Sequence, residues 1–140
     1  GSLRWQKTDI EDSYTNSQYK DDIIFTGRLS DDDLQKVLGA AYALSFVPIF
    51  EGFGLPIVEA FQSGVPVICS NVTSMPEVAG DAALMVDPFN IDSIANGMNK
   101  LADNNDLRNE LIDKGHQQKK LFSWSRTAEL LWDCIQKAVK

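Results

Sequence analysis

The chain has few cysteine and histidine side chains, two and one among 140 residues, which limits zinc sites and disulfides. Cys69 and Cys134 lie far apart, and neither stands in a C-x-x-C or histidine-paired spacing, so the sequence indicates neither a zinc site nor a disulfide framework. We expect two free thiols that pack as small apolar side chains. The single histidine, His116, has no serine or carboxylate patterned around it and is predicted to be a surface residue of a polar helix.

Long apolar runs and a surplus of positive charge are absent as well. No stretch approaches the roughly 18 apolar residues of a membrane-spanning helix, and the start lacks the features of a secretory signal. Thirteen basic against twenty acidic residues give a net charge of −7, which argues against a nucleic acid or an anionic membrane surface as partner. We therefore expect a cytoplasmic protein, with peripheral attachment of a longer protein to a membrane as the alternative.

The apolar residues that are present predict an α/β fold. They make up 44% of the chain, enough for one globular domain with a core. Short, β-prone apolar runs alternate with helical patterns, which is typical of a Rossmann-like parallel sheet of about four strands flanked by helices. The predicted strands cover residues 23–26, 44–47, 65–69 and 83–86. The predicted helices cover residues 8–19, a segment that begins after Ser30, residues 55–63, and a helical tail of residues 91–102, 107–121 and 126–139.

The most unusual segment is PIFEGFGLPIVE, which spans residues 48–59 and passes through a glycine-rich loop into a helix. In parallel α/β sheets, such loops and helix N-termini at the carboxyl ends of strands collect ligands, and their free N–H groups favour a phosphate. Gly52 and Gly54 allow the backbone to approach a diphosphate closely. Glu51 and Glu59 can accept hydrogen bonds from sugar or ribose hydroxyls. The alternative from spacing alone is a tight turn, a solvated Glu51 and a Glu59 that complements the helix dipole.

Glu51 and Glu59 form an E-x7-E pair around Gly-Phe-Gly-Leu-Pro, which resembles the signature of retaining family 4 glycosyltransferases of the GT-B fold. The resemblance covers about residues 23–124 and includes FTGR, GVPV, MPEV, GDAA and FSW. It implies a single domain over residues 1–140, the C-terminal donor-binding part of a two-domain enzyme. We expect the N-terminal acceptor domain and the start of the C-terminal domain to be absent. Gly1-Ser2, without an initiator methionine, is typical of a tag remnant.

The resemblance also implies roles for particular residues. Glu51 is expected to contact the transferred sugar as the catalytic residue, and Glu59 to hold the ribose hydroxyls. The remaining implied donor-binding residues are the loop residues Gly52, Phe53, Gly54 and Leu55 and the nucleobase-pocket residues Gly27, Arg28 and Leu29. The implied donor is a UDP- or GDP-sugar, the acceptor is unknown, and no metal or other cofactor is expected.

Two departures from the family pattern affect the expected activity. Ile49 stands where related sequences often carry serine or threonine, which removes one hydroxyl. Asp33 stands where a lysine would follow Gly27-Arg28, and no Lys or Arg occurs between Lys36 and Lys100. A diphosphate needs cations, so we expect them upstream and expect the chain alone to be inactive. The alternatives are a non-catalytic nucleotide-sugar-binding module and a nucleotide-sugar epimerase of the same architecture.

Four further side chains are interpreted as structural. Glu77 is explained by the dipole at the start of a short helix. Trp124 and Trp132 are expected in core or interdomain contacts, and Trp5 is expected to be exposed. The last helix carries an apolar stripe that should pack on another surface.

Overall fold

A computed structural model of the chain describes residues 7–139. The chain divides into two compact units, Gly1–Lys36 and Val37–Lys140, and the division falls inside the helix α2 (Asp31–Gly39). Each unit is described by itself. The expectation for Trp5 lies outside the described residues.

The first unit contains α1 (Lys7–Thr15), a 3-10 turn (Lys20–Asp22) and the start of α2. The helix α1 ends four residues before the predicted end at Tyr19. The aromatic rings of Tyr14 and Phe25 meet edge to face, with their centroids 5.1 Å apart. At the start of α2, the backbone N–H of Asp33 donates to Ser30 Oγ at 3.2 Å, and the helix begins after Ser30 as predicted.

The predicted strand over residues 23–26 is not formed: Ile23 has an extended backbone, with φ −93° and ψ 116°, but none of the four residues is in a strand. The side chain of Ile24 is 82% exposed. An apolar, β-prone run predicts that a segment can be extended and buried, but a strand also requires a neighbour for its N–H and C=O groups. The sequence pattern did not specify that neighbour.

The second unit is a three-stranded parallel sheet with helices on both faces. The strands are β1 (Leu44–Phe46), β2 (Val67–Ser70) and β3 (Ala83–Val86), in the spatial order β1-β2-β3. The helices are α3 (Leu55–Gln62), α4 (Met75–Ala79), α5 (Ile91–Ala102), α6 (Asn105–Gln118) and α7 (Trp124–Ala138), and a 3-10 turn (Lys119–Leu121) precedes α7. The predicted α/β class with a parallel sheet is confirmed, with three strands in place of about four.

The core lies on both sides of β2, because all four residues of this central strand are buried. Val67 and Cys69 pack into one cluster with Ile57 and Phe61 of α3 and with residues of α4. Ile68 belongs to a second cluster with Val86, Leu101 and Leu111, which come from β3, α5 and α6. Alternate residues of one strand therefore bury apolar side chains on opposite faces of the sheet, as expected for a strand covered on both sides.

The N-cap of α7 is Ser123, whose Oγ accepts a hydrogen bond from the Arg126 N–H at 3.2 Å. All of its residues are exposed, so its apolar stripe, which includes Leu131 and Ile135, faces solvent in this chain. Trp124 and Trp132 are exposed as well, so of the two predicted alternatives the core contact is wrong and the interdomain contact stays a prediction. Within residues 7–139, no helix combines the length and apolarity that a membrane span requires.

We expect the thiol of Cys69 to react much more slowly than the thiol of Cys134. Burial raises the pKa of the Cys69 thiol to about 11, whereas Cys134 is exposed on α7. The thiolate is the reactive form, so the raised pKa of Cys69 lowers the fraction of this thiol that can react, and burial also limits access of a reagent. An aromatic disulfide reagent at pH 8 should modify Cys134 rapidly and Cys69 only after unfolding. Equal rates for both thiols in the folded chain would contradict the buried position of Cys69.

Candidate functional site

The carboxyl ends of the three parallel strands lie at one edge of the sheet. The segments that follow them, residues 47–54, 71–74 and 87–90, therefore begin at this edge and lead into α3, α4 and α5. In doubly wound α/β proteins, this edge is where ligands bind, because loops and helix N-termini converge there. The glycine-rich loop singled out from the sequence is the first of these three segments.

The Glu51 side chain is half-buried and folds back onto its own loop. Its Oε1 atom accepts hydrogen bonds from the backbone N–H groups of Gly52, at 3.2 Å, and of Phe53, at 3.5 Å. Two successive N–H groups directed at one anionic oxygen form the kind of backbone concavity that binds anions. The loop therefore has the geometry to hold a negatively charged oxygen.

The helix α3 begins directly at this loop, and Gly54 is its N-cap. Gly54 has φ +106°, a backbone conformation that is open to glycine and strained for other residues. Pro56 occupies the first turn, and no side chain caps the helix. Pro56 has no N–H, and the Ile57 N–H already donates to the Gly54 carbonyl at 3.0 Å. It is therefore the positive end of the helix dipole at the loop that favours an anionic ligand.

Glu59 lies one turn into α3 and is exposed, whereas Ile57, Val58 and Phe61 of the same helix are buried. The helix therefore fixes Glu59 on the face opposite its core contacts, where the carboxylate is free to accept hydrogen bonds from a ligand. Leu55 is also exposed. The predicted site residues from Glu51 to Glu59 accordingly form one continuous loop and helix start.

The three residues predicted to line the nucleobase pocket belong to the first unit. Gly27 adopts φ +66°, and the Thr26 hydroxyl donates to its carbonyl oxygen at 3.4 Å. Arg28 is exposed and Leu29 is half-buried. Their participation in base binding stays a prediction.

Sequence analysis missed two residues that contact the loop from the segment after β2. The Ser74 hydroxyl donates to the carbonyl oxygen of Glu51 at 2.9 Å. Met75 is fully buried beside Gly54, and a Cβ atom added to Gly54 would lie 2.7 Å from its Cε. The available signal was a serine directly before Met-Pro, but this pattern resembles an ordinary helix N-cap.

Acidic groups predominate along the second unit, and no Lys or Arg occurs between residues 36 and 100. Further along the chain, the Lys114 ammonium pairs with Glu110 at 2.7 Å and with Asp81 at 3.3 Å. Hydrogen bonds to Glu110 and Asp81 raise the pKa of Lys114, which remains charged. In the part of the chain that the structure describes, no cluster of three His, Cys, Asp or Glu side chains could hold a metal ion. The groups shown to contact an anionic oxygen in the loop are the backbone N–H groups of Gly52 and Phe53.

Known proteins resemble this chain in sequence and in fold. The family described as "Glycosyl transferases group 1" matches residues 6–118. The O-antigen chain mannosyltransferase B of Escherichia coli is 43% identical over 102 residues, which are 73% of this chain and 27% of that protein. The MMP alpha-(1->4)-mannosyltransferase of Mycolicibacterium hassiacum is 32% identical over 123 residues, 84% of this chain and 30% of that protein. The chain thus spans less than a third of the length of these two relatives.

The fold comparison agrees with the sequence comparison. The sucrose-phosphate synthase of Thermosynechococcus elongatus superposes with a TM-score of 0.81 over 93% of this chain and 33% of that protein, at 24% sequence identity. This likeness concerns the fold alone and confirms the expected GT-B type of architecture. Together with the glycine-rich loop between Glu51 and Glu59, the match over residues 6–118 makes the chain a member of the group 1 glycosyltransferases.

Proposed function

We propose that the chain forms the donor-binding part of a retaining glycosyltransferase that takes its sugar from a nucleotide-sugar. The observation that carries the proposal is the convergence of the Gly52 and Phe53 N–H groups on one carboxylate oxygen. A diphosphate or sugar oxygen can take the place of that carboxylate oxygen, because both are hydrogen-bond acceptors of similar size. The Glu51 side chain, once displaced, becomes available to the donor sugar.

The remaining donor contacts follow from the position of α3. Glu59 would accept hydrogen bonds from the ribose hydroxyls, and the N-terminal end of α3 would stabilise the diphosphate. For Gly27, Arg28 and Leu29 of the first unit, base binding is a proposal that rests on the family resemblance alone. No metal takes part in this proposal. Cationic side chains outside residues 37–99 would neutralise the charge of the diphosphate. We therefore expect sugar transfer only when those cations and an acceptor site are supplied.

We further propose mannose as the transferred sugar. Both relatives described above are named mannosyltransferases, and both match the chain across the loop and α3. The donor would be a UDP- or GDP-mannose, and the acceptor is not specified by these residues.

The proposal is tested by ligand-observed NMR with UDP, GDP, ADP and their common sugar conjugates. We expect one nucleotide and its mannose conjugate to bind, and we expect Glu59→Ala to weaken binding at least about tenfold, because it removes a charged acceptor of two hydroxyl hydrogen bonds. Glu77→Ala is the matched control, since Glu77 is also an exposed helical carboxylate but lies on α4.

Three results would count against the donor-binding assignment. Equal losses in Glu59→Ala and Glu77→Ala would indicate a general charge effect and contradict a specific role of Glu59. Unchanged binding in Glu59→Ala would contradict the ribose contact. If no nucleotide binds to this chain, the same NMR measurements with the same nucleotides are repeated on the intact gene product. A negative result there would overturn the proposed function.

A further inference from the structure

We propose that Ser74 is a positioning residue for the donor-binding loop: it holds the carbonyl of Glu51 and thereby sets the direction of the Gly52 N–H. The inference rests on the proposed function for its role in donor binding. Its structural part, the fixing of the loop by the start of α4, can be tested without any donor.

The first observation is that the Ser74 hydroxyl does not cap its own helix. Ser74 occupies the N-cap position of α4, where a serine usually accepts a hydrogen bond from a backbone N–H of the first turn. The N-cap side chains of α5, α6 and α7 do accept such bonds, at 3.0, 2.9 and 3.2 Å. The Ser74 hydroxyl makes no cap bond and donates to the Glu51 carbonyl, 23 residues away in sequence. Its hydrogen bond therefore serves the loop and not the helix.

The second observation is the backbone of Thr73. Among residues 7–139, Thr73 is the one residue other than glycine with a positive φ, at +57°. A β-branched residue in this region is strained, and such a conformation persists only where the surrounding structure holds it. Thr73 directly precedes Ser74, so this turn is part of the backbone that places Ser74 beside Glu51.

The third observation is that Met75, the residue after Ser74, contacts the same loop at Gly54. Its side chain is fully buried and lies against Gly54, the N-cap of α3. The N-cap residue Ser74 and the first residue of α4, Met75, therefore contact the loop at Glu51 and at Gly54. The loop is thus held on either side of Gly52 and Phe53, which stay exposed.

The consequence for the donor follows from peptide geometry. The Glu51 carbonyl and the Gly52 N–H belong to one planar peptide unit, which is trans and so directs the two groups to opposite sides. Ser74 holds the carbonyl from one side. The Gly52 N–H must then point away from α4, in the direction from which it donates to the Glu51 carboxylate. A donor oxygen that replaces this carboxylate would meet an N–H group whose direction is already fixed.

The test compares Ser74→Ala with Ser74→Thr, which keeps the hydroxyl, in the full 140-residue chain. Without ligand, 15N relaxation should give an order parameter of about 0.85 for the Gly52 backbone N–H in the unsubstituted chain and in Ser74→Thr. In Ser74→Ala the same order parameter should fall below about 0.6. Val78 of α4 and Ile68 of β2 should stay rigid in all three proteins, which also reports that the variants are folded. The nucleotide identified in the binding panel should bind Ser74→Ala at least about tenfold more weakly and Ser74→Thr normally.

An ordered Gly52 in Ser74→Ala would overturn the proposal, and so would an equal loss of order in Val78, because Ser74 would then act on α4. A mobile Gly52 with unchanged nucleotide affinity would overturn the role in donor binding. If the parent chain and the intact gene product bind no nucleotide, the proposed function fails, while the Gly52 order parameter still decides whether Ser74 fixes the loop.

Discussion

Replacing Phe61 with alanine should lower the free energy of unfolding by about 3–5 kcal/mol, as found when large aromatic side chains are removed from protein cores. Phe61 is 1% exposed and lies on α3, and its ring packs so closely against α6 that a Cβ atom on Gly115 would come within 2.8 Å of its Cδ1. The truncation leaves a cavity that α3 and α6 cannot close without moving. Urea denaturation followed by circular dichroism measures the change.

The matched control for this prediction is Glu59→Ala on the same helix. Glu59 is exposed, so its removal should change the free energy of unfolding by less than about 0.5 kcal/mol, although it is expected to weaken nucleotide binding. The two variants separate the functions of the two faces of α3. A loss below about 1 kcal/mol for Phe61→Ala would mean that α3 does not depend on its packing against α6, and the site could not then be considered rigidly supported.

Elements with local signals were predictable from the sequence. The strand β3 and the helix α5 have the predicted bounds, Ala83–Val86 and Ile91–Ala102. In α5, Asn90 provides an N-cap that the sequence places directly before a helical apolar pattern. The helix α3 was predictable for a similar reason, because Pro56 marks its first turn and Gly64, with φ +69°, follows its end. Capping residues and apolar periodicity act within a few residues, so a single sequence contains them.

Features that depend on a partner distant in sequence were not predictable to the same degree. Residues 23–26 have the apolarity of a strand but form none, because strand formation depends on a neighbour that their own pattern does not encode. Similarly, the stripe on α7 indicates that a surface should cover it without saying which one. An apolar pattern indicates that a segment tends to be buried, but it does not indicate which other segment or surface will bury it.

In the candidate site, too, the features with local sequence signals were predictable and the contact between distant residues was not. Its loop was visible because glycines, a proline and two glutamates are concentrated within residues 51–59. Its support was not visible, since the bond from Ser74 to Glu51 joins residues 23 positions apart and replaces a helix cap that the local pattern favours. The exception to the local rule at Ser74 therefore became apparent only in three dimensions, as is common where a functional segment overrides local preference.

Replacing Gly54 with alanine should cost about 1–3 kcal/mol of stability, because a side chain at φ +106° is strained even if the space around it adjusts. The space is limited as well: the new Cβ would lie 2.7 Å from Cε of the fully buried Met75. Since Gly54 is the N-cap of α3, relief of either strain shifts the start of the helix relative to the loop. We therefore expect nucleotide affinity to fall at least about tenfold, measured on the protein that binds in the NMR panel.

Gly52→Ala provides the control for the stability change. Gly52 lies in the same loop but is exposed, has no positive φ, and has no atom within 4 Å of an added Cβ. Its replacement should leave the free energy of unfolding within about 0.5 kcal/mol of the parent value. Equal stability losses in the two variants would mean that the loop requires glycine for flexibility in general. A loss confined to Gly54→Ala would tie the start of α3, and with it the position of Glu59, to one backbone conformation that only glycine adopts without strain.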